Sequence, residues 1–387
     1  MTSEAQTDPP ILIRGARRLA AGDAPTSFLL AGGRIAAVGA EADEAAPAGA
    51  RRVDAGGLSA APGFIDLQVN GGFGRDFTAD PGAIWDVGIR LAEAGVTAFV
   101  PTIVSSPAEV AAHARATFAA GPPPGYGGAW PIGLHLEGPF LNPAKRGAHG
   151  EDHLRVPEPS LAAEWSPATG VVMATIAPEL PGALALIHDL AGRGIVVAAG
   201  HSLATEDEGR AAIGAGVRYA THLFNAMPPL DHHEPGLVAA LLSDRRVTVG
   251  LIADGFHVAP SVVDLVWRLA GPGRVSIVTD AMAALGMADG RYVLGDRAVE
   301  VADGTARTPD GRLAGGVLPL LESVRNLARF TGCGIAEAVA AVTTTPARLL
   351  ALTDRGSLNV GGLGDLVLLS DELSVEMTFV RGRQVGP

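Results

Sequence analysis

Gly170-Val-Val-Met-Ala-Thr-Ile-Ala177, the helical stretch Ala183–Arg193 and Gly194-Ile-Val-Val-Ala-Ala-Gly-His201 together decide the fold. Each flanking run is short, apolar and rich in β-branched residues. That pattern suits a strand buried on both faces rather than one with a wet side. The Ala- and Leu-rich stretch between them is long enough to cross back over a sheet. Strand, crossover helix and parallel strand make a βαβ unit.

The unit recurs in both directions. Similar runs occupy Gly63–Asn70, Thr97–Val104, Ile132–Gly138, Tyr219–Asn225, Val247–Asp254 and Val275–Asp280. With the two already quoted they total eight. Further helical stretches lie at Pro81–Ala94, Pro107–Ala119, Glu206–Gly214 and Pro260–Ala270. Eight buried strands with crossover helices predict an α/β fold, a TIM (β/α)8 barrel. An open doubly wound sheet is the competitor. It usually carries a Gly-rich phosphate loop after its first strand, and Asn70-Gly-Gly-Phe-Gly-Arg75 lacks that spacing.

Both ends have another texture. Ile11–Arg14, Ser27–Leu30, Arg34–Val38 and Arg51–Asp54 read as brief strands, as do Gly364–Ser370 and Val375–Val385. Neither end has enough strands for its own sheet. A small β-sandwich domain drawn from residues 1–61 and 354–387 is expected, with the barrel at 62–353 inserted between. The Ala-, Glu- and Pro-rich residues 41–50 read as a surface loop.

Of the 387 residues, 48% are apolar and 18% charged, enough for a large core. The formal net charge of −12 argues against broad nucleic-acid binding, since no basic stripe exists to displace counterions. One cysteine, Cys333, permits neither an internal disulfide nor a cysteine-based zinc site. The first residues lack a secretory pattern, and no apolar run reaches membrane-spanning length. A cytoplasmic location without membrane attachment is the expectation.

Almost every predicted barrel strand ends on a polar residue: Gln68 and Asn70, Thr102, Glu137, His201, His222, Asp254 and Asp280. Barrel active sites sit where strands end at their C-terminal face, so these residues would share one mouth. Two imidazoles and a carboxylate are the usual protein ligands of a catalytic divalent ion. Glu137, His201 and His222 supply that set and leave a position for water. Asp280 suits a general base that takes a proton from the water and passes it to a leaving nitrogen. A metal-free polar mouth is the alternative on register alone.

Further stretches are recognisable: Pro62-Gly-Phe-Ile-Asp-Leu-Gln-Val-Asn-Gly71, Gly133-Leu-His-Leu-Glu-Gly-Pro-Phe-Leu-Asn142, Gly200-His-Ser202, Thr221-His-Leu-Phe-Asn-Ala-Met227, Ile252-Ala-Asp-Gly-Phe-His-Val258 and Val278-Thr-Asp-Ala-Met282. Together they resemble the N-acetylglucosamine-6-phosphate deacetylase family of the amidohydrolase superfamily, across essentially the whole chain. The resemblance implies hydrolysis of the acetamide of an amino-sugar phosphate. It implies metal ligation by Glu137, His201 and His222, and catalysis by Asp280. Its substrate contacts fall on Ala148 and His149, Asn225 and Ala226, the segment Asp254–His257, and Leu313, Ala314 and Gly315. His149 is expected to help stabilise the oxyanion. His233 and His257 would face the neighbouring subunit's sugar phosphate, which implies a homodimer.

Three positions add detail. Many amidohydrolases carry His-x-His where this chain has Gln68-Val-Asn70, and an amide is a poor transition-metal ligand. One divalent ion per subunit is therefore expected, Zn²⁺ first, with Fe²⁺ and Mn²⁺ also fitting the donors. His135 shares a strand face with Glu137 and is expected to be a hydrogen-bond partner rather than a ligand. His233 stands where the family usually has Arg, so a permanent bidentate charge is lost from the phosphate site. His232, Lys145 and Arg146 are candidates to compensate. The rival readings are a deacetylase of a galacto-configured or unphosphorylated amino sugar, and a catalytically silent barrel acting as a binding subunit. The intact metal set beside Asp280 speaks against the second.

Overall fold

The computed structural model describes residues 9–19 and 22–386. Its centre is a barrel of eight parallel strands: Phe64–Val69, Val96–Val104, Leu134–Glu137, Val171–Ile176, Val196–Ala199, Val217–Ala220, Thr248–Leu251 and Val275–Ile277. Each strand pairs with the next in chain order. Each of the eight predicted runs overlaps a strand, most of the strands being two to four residues shorter than expected, and the sixth is displaced: it spans Val217–Ala220 rather than Tyr219–Asn225. Nearly every strand residue is buried, because helices cover the outside and side chains fill the inside.

The eighth strand meets the first through side chains as much as through the ladder. Val69 and Ala281 form an isolated parallel bridge. The Asp66 carboxyl lies 2.6 Å from Thr279 Oγ1 and accepts the Thr279 backbone N–H at 3.3 Å. Burial pushes Asp66 up to about 7, against the pull of these Thr279 contacts.

The helices Ala83–Glu93, Ala108–Ala120, Ala183–Gly192, Glu206–Ala215 and Pro260–Ala270 match the predicted stretches. Several helices went unpredicted, among them the short Ile335–Ala340 and Thr344–Leu349 and two longer ones. Gly236–Ser243 is apolar nearly all round and buries Leu237, Val238 and Leu241. Leu320–Thr331 buries Leu320, Leu321, Val324 and Leu327, one stripe of an amphipathic helix. A three-stranded antiparallel sheet, Gly290–Leu294, Arg297–Ala302 and Thr305–Arg307, also lies between the eighth strand and that helix. Its Leu294, Val299 and Val301 pack with Ala148, Met282 and Ala314 at the barrel mouth.

The chain ends build a sheet ordered Arg383–Val385, Val375–Val380, Leu366–Leu369, Ser59–Pro62, Ile11–Arg18, Gly22–Ala31, Arg34–Val38, with Arg51–Asp54 also paired to Ile11–Arg18. Leu366–Leu369 runs antiparallel to Ser59–Pro62 and ties the two ends together. Ile13, Phe28, Leu30, Leu366, Leu368 and Phe379 form its core. The expected loop at 41–50 instead begins with a helix, Ala40–Ala45, whose Ala42 packs on Leu12, Leu29 and Ala37. Alanine favours helix once one face can be buried.

Candidate active site

Glu137 is the last residue of the third barrel strand, and His201 and His222 stand two residues beyond the fifth and sixth. His201 Nε2 and His222 Nε2 lie 3.2 and 3.1 Å from Glu137 Oε1, and 3.1 Å from each other. Among the described residues they are the one group of three or more His, Cys, Asp or Glu donors whose ligand atoms all fall within 4.8 Å. The Nδ1 of His201 donates to the Lys145 carbonyl at 2.9 Å, which leaves its Nε2 lone pair facing the centre. The donor set fits a divalent transition ion.

Electrostatics agree with that fit. Burial alone would raise Glu137, but the imidazoles of His149, His201 and His222 hold it well below the usual carboxylate range. Burial lowers His201, whereas Glu137 raises His222 against burial. The proton that Glu137 favours on His222 occupies the place a cation would take, so metal uptake would release it.

His201, His222 and Asp280 all have left-handed backbones, with φ of 50°, 25° and 49°. Non-glycine residues hold such conformations at a cost of about 1–2 kcal/mol each, and they cluster at functional sites. Neighbouring glycines make room for the turns. A Cβ on Gly200 would lie 2.8 Å from Thr221 Cβ, and one on Gly315 would lie 2.8 Å from the Asp280 carbonyl.

The residues at the His-x-His positions serve the two carboxylates. Gln68 Nε2 donates to Glu137 Oε1 at 3.0 Å, and Asn70 Nδ2 donates to Asp280 Oδ1 at 2.8 Å. Burial and the Glu137 charge push Asp280 above the ordinary carboxylate range, while His222 and Asn70 pull it back. His135 is held beneath the cluster, with Nε2 2.8 Å from Thr175 Oγ1 and Nδ1 3.3 Å from Thr102 Oγ1. Burial lowers it to about 4, so it is a neutral strut outside the ligand group.

A cavity of about 420 Å³ opens over the cluster and Asp280. Ala148, His149, Asn225, Ala226, His257, Leu313, Ala314 and Gly315 line it, as do Asn70, Lys145 and Arg312. His149 Nδ1 accepts the Ser105 backbone N–H at 3.2 Å, so the neutral ring carries its proton on Nε2, 3.7 Å from Glu137 Oε2. Ser105 and Arg312 escaped the sequence reading. Ser105 lies directly after the second strand, so register could have found it.

Of the expected contacts, Asp254, Gly255, Phe256 and His233 stand apart from the cavity lining. Asp254 accepts the backbone N–H groups of Phe256 and His257 at 2.8 Å each and lies 2.6 Å from His257 Nδ1. It shapes the turn that presents His257. His233 is exposed, and its ring lies against that of His232 with centroids 4.0 Å apart. No helix among the described residues is long and apolar enough to cross a membrane.

The amidohydrolase family profile matches residues 59–385. A human N-acetylglucosamine-6-phosphate deacetylase is 42% identical over 86% of this chain and 85% of its own length. An N-acetylgalactosamine-6-phosphate deacetylase from Escherichia coli O157:H7 is 37% identical over 83% of this chain and 86% of its own. A solved N-acetyl-D-glucosamine-6-phosphate deacetylase mutant from Mycobacterium smegmatis, in complex with N-acetyl-D-glucosamine-6-phosphate, superposes with a TM-score of 0.88 at 36% identity. That match covers 98% of this chain and 100% of the solved one.

Proposed function

This chain belongs to the amidohydrolase family and, within it, to the N-acetylglucosamine-6-phosphate deacetylases, and from that membership we propose how it works. It hydrolyses the acetamide of N-acetyl-D-glucosamine 6-phosphate to D-glucosamine 6-phosphate and acetate. The observation that carries this reading is the convergence of Glu137, His201 and His222 under one cavity that also exposes Asp280.

Glu137, His201 and His222 would hold one divalent ion, for which Zn²⁺ is the first candidate. When bound it lowers the pKa of water and polarises the acetamide carbonyl. Asp280 takes a proton from the attacking water and delivers it to the departing amine as the C–N bond breaks. Asn70 holds the Asp280 carboxylate toward the cavity through its 2.8 Å bond. His149, proton on Nε2, donates toward the negative charge that builds on the carbonyl oxygen. Glu137 is oriented by Gln68, and His201 by the Lys145 carbonyl.

A homodimer is part of the reading. His233 lies outside this chain's own cavity and is exposed, which suits a residue offered to a neighbouring copy. The galacto-configured substrate is the second reading, favoured by the Escherichia coli relative and ranked below the first by its lower identity.

The deciding experiment is acetate release from N-acetylglucosamine and N-acetylgalactosamine, each with and without the 6-phosphate, on protein of measured metal content. The 6-phosphate of the gluco sugar should be the best substrate. Metal-loaded protein that releases acetate from none of the four would overturn the reading.

A further inference from the structure

Among the chain's 29 Lys and Arg residues there is a single lysine, Lys145. Everywhere else the chain places its basic charge on arginine. The two are not interchangeable. Arginine presents a flat fork, whereas lysine presents a compact, mobile ammonium with three donors. The one lysine lines the cavity that holds Asp280 and the candidate metal ligands.

Its surroundings leave the charge available. Lys145 Nζ donates to the Met227 carbonyl at 3.0 Å, which uses one of three N–H bonds. The ion pairs among the described residues include none to Lys145, whereas adjacent Arg146 is 3.5 Å from Glu151 and also donates to the His149 carbonyl. Arg146 does not line the cavity. The only other Lys or Arg that does is Arg312, which sits 3.2 Å from Asp310 and reaches the Gly147 carbonyl at 3.4 Å. Lys145 and Arg312 therefore belong to one stretch of rim, with Arg312 tied to the loop that carries Lys145. On the other side, the Lys145 carbonyl accepts from His201, so the loop is anchored to the reaction centre.

Resting on the deacetylase reading, we propose that Lys145, assisted by Arg312, is this chain's own contact for the dianionic phosphate monoester of the substrate. The residue at the usual arginine position, His233, lies outside this chain's own cavity, would reach a phosphate only from the neighbouring copy, and carries no permanent charge. A phosphate brings nearly two negative charges and strong acceptor oxygens, and a cation facing them makes the strongest class of hydrogen bond. The unpaired ammonium of Lys145 meets that need from within the same subunit.

The test compares kcat/KM for N-acetylglucosamine 6-phosphate with that for N-acetylglucosamine in wild type, Lys145→Met, Arg312→Met and His233→Ala. Lys145→Met should cut the ratio of the two at least tenfold, mainly through KM of the phosphorylated sugar. Arg312→Met should cut it less, and His233→Ala least of all. A ratio that changes less than threefold in Lys145→Met, or a larger change in His233→Ala, would overturn the assignment. A binding readout is independent of turnover. Reductive ¹³C-methylation of the metal-loaded protein labels only Lys145 and the N-terminal amine. The lysine signal should shift saturably with inorganic phosphate, and with D-glucosamine 6-phosphate at lower concentration. No shift with either overturns the assignment even if acetate is released. A shift without acetate release from any sugar would instead sink the deacetylase reading and leave an anion site at Lys145.

Discussion

Asn70→Leu removes an amide donor that reaches Asp280 Oδ1 at 2.8 Å and the Asp280 carbonyl at 3.3 Å, and that carbonyl keeps the Gly316 N–H at 2.7 Å. The substitution keeps the side chain's volume and the backbone bonds at this position. The opposite end of the amide, Oδ1, is buried and has no protein partner, so its loss strands nothing. A hydrogen bond to a charged group is worth about 1.5–3 kcal/mol. At 1.36 kcal/mol per pH unit, this corresponds to roughly 1–2 units in the Asp280 pKa. The sign follows from the state stabilised. Asn70 favours the carboxylate, so removing it raises a pKa that burial and Glu137 already hold high. A general base works when ionised, so the acid limb of kcat/KM against pH should move up by about 1–2 units. Well above that limb, activity should recover toward wild type. The assay is the pH profile of acetate release from pH 5 to 9 at fixed metal content. A loss that is equal at every pH, or a limb that stays put or moves down, would refute the claim that Asn70 acts through Asp280.

Other outcomes follow from the same site. Asp280→Asn should retain metal and substrate binding while losing about 10²–10⁴ in kcat, the range of general acid–base catalysis; near wild-type turnover would remove Asp280 from the mechanism. Elemental analysis should find close to one divalent ion per active chain, with chelation abolishing turnover and re-addition restoring it; two stoichiometric ions would contradict the roles given to Gln68 and Asn70. Asp66→Asn should reveal a pH-dependent strain at the barrel seam. The Asp66 pKa is raised in the fold from 3.8 to about 7, so its stability contribution is complete below 3.8 and is lost as pH rises through 7. Relative to Asp66→Asn, wild type should lose up to roughly 4 kcal/mol in urea unfolding between those limits; parallel curves for the two proteins would disprove the shift.

Much of this architecture is legible in the chain because buried parallel strands leave a strong mark. Val171–Ile176, apolar but for Thr175, and Val196–Ala199 are largely buried runs, and the polar residues that end most of the barrel strands, His201 among them, share one register. The converging positions of Glu137, His201 and His222 follow from that register. Their backbones do not. Left-handed turns at His201, His222 and Asp280 violate local preference, so no propensity argument reaches them. The sheet at Gly290–Arg307 escaped because its strands are short and their exposed positions mix Arg291, Glu300 and Arg307 with Val293, Ala298 and Ala302, which blurs the alternation that Leu294, Val299, Val301 and Ala306 would otherwise announce. The strand Ser59–Pro62 holds no β-branched residue and exists through its pairing with Leu366–Leu369. Gln68 and Asn70 could be excluded as strong ligands from their chemistry. That they instead donate to Glu137 and Asp280 depends on distances between strands.

The pairing of Ser59–Pro62 with Leu366–Leu369 also sets a schedule for synthesis. About 300 residues separate the two strands, and ribosomes add roughly 5–20 residues per second. The amino-terminal strands therefore emerge roughly 15 to 60 s before the partner that covers them. During that interval the edge of Ser59–Pro62 is an open template for any other strand. The barrel can close behind it in the meantime, so the strands from Leu366 onward join a body already built. In the cell the carboxy-terminal strands work as a clasp, and a chain cut short before Leu366 would carry its whole catalytic barrel with that edge left permanently unsealed.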